Sequence, residues 1–196
     1  MRLRTRWKDK TRPRSTAEQA SVIGTALWKI AAEAVLNLEN ENFQTDTQAQ
    51  RLDVIMEHLA FGLHLLDRLC YGRLPDADRA ELVTATAQHV AKLVHDNSRQ
   101  VLGEGSYRDR FIELLNTRSG EYAEHGFEQG EPAFGMLLAF GYRVCAVMGP
   151  RDNRWLLDHM VAIEGPEILD ILKNAVSGFL EQRQTAQEPS AAGENG

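Results

Sequence analysis

Pro132–Gly149 reads PAFGMLLAFGYRVCAVMG, apolar or small on nearly every side, with Arg143 as its only charge. A helix that is apolar all round belongs inside a protein or a membrane. The run is shorter than the ~20 residues a bilayer span needs, and it carries an arginine. It therefore predicts the central helix of a water-soluble bundle, wrapped by the others. Gly135, Ala139, Gly141 and Ala146 are expected to let neighbouring helices come close.

Outward from that stretch, the chain is punctuated as helices and short loops. Ser15-x-x-Glu18 is a reciprocal capping pattern, and the helix it opens is expected to run to Glu39. On it Ile23, Leu27, Ile30, Ala34 and Leu38 form one stripe at ~100° per residue. Trp28, Ala32, Val35 and Leu36 form a second strip, which predicts contact with another subunit. Further helices are expected over Thr47–Tyr71, Asp76–Asn97, Tyr107–His125 and Asp152–Ile163, with a last one from Gly165-Pro166 to Arg183. Gly72, Gly126 and Gly149-Pro150 supply stop signals. No alternating β-branched run appears, so no strand is expected. The fold class is all-α, a single bundle of six or seven helices over residues 15–183.

The 196 residues carry a net charge of −6, but unevenly. Residues 1–14, MRLRTRWKDKTRPR, hold seven cations against Asp9, so residues 15–196 carry −12. An acidic body repels phosphate, which argues against nucleic-acid binding except through the arm 2–14. The arm's cations fall at every second position, on one side of an extended segment. The arm reads either as a mobile solvated segment or as a docking element, and among docking targets an acidic protein surface is favoured over nucleic acid and an anionic membrane surface. The segment 184–196 is small and polar, and is expected to be disordered. Cys70 and Cys145 lie in apolar runs without a metal or redox spacing. They predict buried thiols in a cytoplasmic protein without a transmembrane segment.

The informative polar residues are those on apolar faces. Arg118 and His125 are two turns apart and share a face with Phe111, Leu115 and Tyr122. Asp67 edges an apolar stripe with His64 and Glu57 beside it, and Arg143 is alone in its helix. A buried unpaired charge costs several kcal/mol. Arg118 or Arg143 is therefore expected to pair with Asp67 or another carboxylate such as Glu121, fixing helix register. A second reading makes Arg118, His125 and Arg143 a pocket for a small anionic ligand, since arginine suits bidentate carboxylate or phosphate recognition.

A third reading is a carboxylate/histidine metal enzyme built in the bundle. Its candidate ligands are Glu57, His64, Asp67, His89, Glu121 and His125. The spacing counts against it: no Glu-x-x-His occurs, while His64-x-x-Asp67 and His125-x-x-Glu128 run the other way. Glycine-rich nucleotide loops, the His-Glu-x-x-His zinc motif and the Gly-x-Ser-x-Gly elbow are also missing. The reading these residues favour is a homodimeric helical binding domain, with no cofactor specified by the sequence.

Overall fold

The computed structural model describes residues 15–151 and 153–187; the basic arm 1–14, residue 152 and the tail 188–196 lie outside the described residues. Its helices are α1 (Thr16–Asn40), α2 (Gln48–Cys70), α3 (Asp76–Leu102), α4 (Tyr107–Ala123), α5 (Phe134–Met148), α6 (Asn153–His159) and α7 (Gly165–Gln187). They pack into one all-α bundle. The expected capping box opens α1. Ser15 N–H donates to Glu18 Oε2 at 2.8 Å, and Glu18 N–H donates to Ser15 Oγ at 3.2 Å. The last helix passes Arg183 and reaches Gln187.

The centre of the bundle is α2, not the helix at 132–149. Every residue from Val54 to Leu66 is buried, and α2 packs on α1, α3, α4, α5 and α7. Gly62 makes this crowding feasible: a Cβ there would lie 2.6 Å from Leu27 Cδ2 and 3.5 Å from Ile168 Cγ2. The physical reason for the exchange of roles lies in Glu57, His58 and His64. On a helical wheel they look like a solvated flank, yet partners inside the fold let all three be buried.

Helix α5 buries Met136, Phe140, Val144 and Met148, four residues apart, on one face. Phe140 stacks on Phe61 of α2 at 4.3 Å between ring centres. Gly141 admits Leu157 of α6, as its small size predicts. The opposite face is open: Phe134 is 65% exposed, Tyr142 58%, and Ala146 is exposed too. A helix apolar all round thus buries only one side within the chain.

Two short strands, β1 (Phe127–Glu128) and β2 (Glu131–Pro132), pair antiparallel where no strand was expected. Gln129 and Gly130 take positive φ of 54° and 81°. That is the pattern of a two-residue hairpin turn, which glycine eases. The hairpin ends α4 at Ala123 and delays α5 to Phe134.

The second strip of α1 is largely consumed within the chain. Val35 is buried, while Trp28 and Ala32 pack against the core; only Leu36 of the four is exposed. The broad contact of α1 with α3 accounts for this. By length and a mean hydropathy of 1.2, α1 is apolar enough to cross a membrane. In the bundle its Ile23, Leu27, Ala31, Ala34 and Leu38 are buried. Helices α6 and α7 are joined through one π-helical turn, Met160–Glu164, without a break.

Candidate functional site

The polar residues on apolar faces meet between α2, α4 and α5. Glu57 projects from α2 with its carboxylate side chain 3% exposed, and Arg118 of α4 grips it with two parallel bonds. Arg118 Nε donates to Glu57 Oε2 at 2.8 Å and Nη2 to Oε1 at 2.7 Å. Its Nη1 donates to Glu121 Oε1 at 3.0 Å, and Arg143 Nε of α5 donates to Glu121 Oε2 at 2.8 Å. The result is a chain of alternating charge, Glu57–Arg118–Glu121–Arg143, tying three helices together. Paired planar groups of this kind are among the stronger charge-assisted bonds. The bond to Glu57 holds the Arg118 guanidinium above its usual value, against the opposing effect of burial.

Both arginines take Glu121, as the sequence predicts, but the main partner of Arg118 is Glu57. Asp67 is elsewhere, bound by Arg79 at 2.5 Å. His64 is buried, edge-on to the Tyr122 ring at 5.5 Å. Burial, then the nearby Arg68, pulls the imidazole down to about 4, so it is neutral at pH 7. The Tyr122 phenol, fully buried beside the charged chain, is pushed well above its ordinary value by that burial. Neither His64 Nε2 nor Tyr122 Oη has a hydrogen-bond partner among the described residues.

The remaining candidates are dispersed. His125 lies over Gly135 at the foot of the hairpin, its Nδ1 2.9 Å from where a Cβ would stand. His89 of α3 meets Thr25 Oγ1 of α1 at 3.1 Å. Among the described residues, no three His, Cys, Asp or Glu side chains converge so as to hold a metal ion. Arg118 has Nε, Nη1 and Nη2 all on carboxylates, which leaves it little capacity to receive an anion.

Two features escape the sequence reading. The first is a second ion pair one turn from Glu57: Asp53 of α2 with Arg110 of α4, Nη2 to Oδ1 at 2.7 Å. The two pairs border a groove of about 340 Å³ that Met56, Leu114, Thr117, Glu113 and Val147 complete. The 3.6-residue period that places Asp53 and Glu57 on one flank was the available signal. The second is a buried set near the π-helical turn. His58 Nδ1 donates to the Val54 carbonyl at 2.8 Å, so Nε2 is the bare nitrogen, and it has no hydrogen-bond partner among the described residues. Burial lowers His58 to about 4. Nearby, His159 Nε2 lies 3.2 Å from Glu164 Oε1. Burial raises the Glu164 carboxyl, which is shielded from water inside the bundle.

Compared with known proteins, the chain matches no protein-family profile, no curated protein and no solved structure. Function must be argued from the arrangement of side chains alone.

Proposed function

We propose that the chain is a non-enzymatic helical domain that works by association, its α5 face covered by a second copy of itself. What supports this is the mismatch between the composition of α5 and its burial. Its outward positions Phe134, Leu138, Tyr142 and Ala146 are all apolar or aromatic, and no acid occurs on the helix. Its one charge, Arg143, is held by Glu121, so a partner would not have to neutralise it. Apolar surface of this kind, rich in aromatic rings, is what interface cores are made of.

A two-fold contact is self-complementary: each copy presents the same stripe. At ~200 Å² for a whole aromatic side chain, Phe134 and Tyr142 offer roughly 250 Å² per copy. A standard interface buries ~800 Å² per partner. The contact therefore extends beyond α5, and Trp155 on the adjoining α6, 69% exposed, is a candidate for the extension.

Sedimentation equilibrium on wild type and on Tyr142→Glu tests the reading. A dimer at micromolar concentration that Tyr142→Glu converts to a folded monomer is the expected result. A wild-type monomer at high micromolar concentration would remove it.

A further inference from the structure

We propose that His58, His159 and Glu164 form an acid-operated latch, which holds α6 and the π-helical turn in the bundle and lets that segment open locally when a second proton enters the cluster. The segment is lightly anchored. Between Arg154 and Glu164 only Leu156, Met160 and Glu164 are buried. Stretches with few buried apolar contacts open at low free energy, with the rest of a fold intact. Glu164 is also the one charged member of the stripe Leu156, Met160, Glu164, Ile168, Leu172 and Val176. An apolar side chain there would anchor the turn at every pH. A carboxylate anchors it only while its charge is compensated.

The compensating group is itself titratable. Glu164, its side chain 2% exposed, bonds His159 of α6 at 3.2 Å. With one titrating proton that pair is neutral, as imidazolium and carboxylate or as imidazole and carboxylic acid. From α2, His58 comes within electrostatic reach of His159. Its Nδ1 is committed to the Val54 carbonyl, and α5 presents only the uncharged Phe140 ring, edge-on at 5.1 Å. A proton on Nε2 would make a donor where no acceptor is bound among the described residues. Glu33 of α1 and Glu167 of α7 also bear on Glu164, but both are exposed, so water and salt screen them. A second proton, whether on His58 or on Glu164, therefore leaves a net positive charge shielded from water, and opening relieves it. Burial holds His58 down to about 4 in the closed cluster, against 6.5 for an imidazole in water. On that difference the opening equilibrium grows about 20-fold from pH 7 to pH 5.

The test is amide hydrogen exchange on the full chain, followed by NMR at pH 7 and pH 5, corrected for intrinsic rates and repeated at low urea concentrations. Protection of Leu157 and Val161 should fall about 20-fold between the two values. Their exchange should depend on urea much less steeply than that of Ala91 and Val94 in α3, because a local opening exposes little surface. His58→Phe, which keeps a ring against Phe140, should abolish the fall. His159→Gln should abolish it too, since the incoming proton then meets an uncompensated Glu164, and this variant at a less buried position decides the matter if His58→Phe fails to fold. Protection at Leu157 and Val161 that is equal at pH 7 and 5 would overturn the proposal. So would a urea slope shared with α3, which marks global unfolding, or a fall that persists in either folded variant.

Discussion

Replacing Arg118 by Met should be among the most damaging single changes in the chain that leave every apolar contact of the core intact. The substitution keeps most of the aliphatic stem but removes the fork that satisfies Glu57. That carboxylate, 3% exposed, loses both donors, at 2.8 and 2.7 Å. Glu121 loses one donor and keeps Arg143. Stripping one partner from a buried ion pair costs ~3–5 kcal/mol, because the other charge is left without compensation. For a chain of this size, each kcal/mol moves the melting temperature by ~2–4 °C, so a drop of roughly 6–20 °C is expected. Urea unfolding followed by circular dichroism measures the loss directly, with the midpoint moving and the slope unchanged. Adding Glu57→Leu to Arg118→Met should recover most of it, since a buried pair replaced by apolar groups is often neutral. The reasoning is refuted if Arg118→Met costs less than ~1 kcal/mol, or if the double variant is no more stable than the single one.

The pH dependence of stability should carry the mark of His58. Its folded value, about 4, lies below the ordinary 6.5, so the unfolded chain takes up the proton first as pH falls below about 6.5. Between pH 7 and 5 this one residue should remove about 2 kcal/mol of stability, and His58→Met should lose that much less over the same range in paired urea titrations. His64 shifts in the same direction and steepens the same window, so a profile flat from pH 7 to 5 would contradict both assignments. Gly62→Ala should cost ~1–3 kcal/mol, because a methyl group 2.6 Å from Leu27 Cδ2 forces that buried side chain out of its place; an unchanged melting temperature would contradict this. Burial raises the Cys70 thiol to about 11, so a disulfide reagent at pH 8 should label it only after denaturant is added, and rapid native labelling would place it at the surface.

Local signals were the legible part of this fold. The Ser15 capping box, the glycine stops and the helical period are short-range physics, and the helices stand where those signals put them, within a few residues. The pairing of Arg118 and Arg143 with Glu121 was legible because a charge on an apolar face has few ways to be satisfied. The choice of central helix was not. Glu57, His58 and His64 lower the apparent hydrophobicity of α2, and only tertiary partners on α4 and α5 reverse their meaning. Helix α5 misled in the opposite direction, since an apolar surface reads the same whether it faces its own core or another molecule. Trp28 illustrates a related ambiguity: a strip off the main stripe can meet a neighbouring helix of the same chain as readily as a partner. The hairpin at 127–132 was invisible because strands of two residues cannot alternate, leaving only Gly130 as a turn signal.

The widened turn at Met160–Glu164 fixes the angular phase of everything that follows it. Buried positions Leu156, Met160, Glu164, Ile168, Leu172 and Val176 recur at every fourth residue through α6, the turn and α7. In a regular helix each such step overshoots a full revolution by about 40°, so five steps would carry the buried side around to face the solvent. One turn closed by an i to i+5 bond holds more residues per revolution and takes back part of that drift. Excising a single residue there would shorten the helix by only ~1.5 Å, yet it would rotate α7 by about 100° relative to α6. Ile168 would then leave its place beside Gly62, and α7 would lose its alignment with the rest of the bundle.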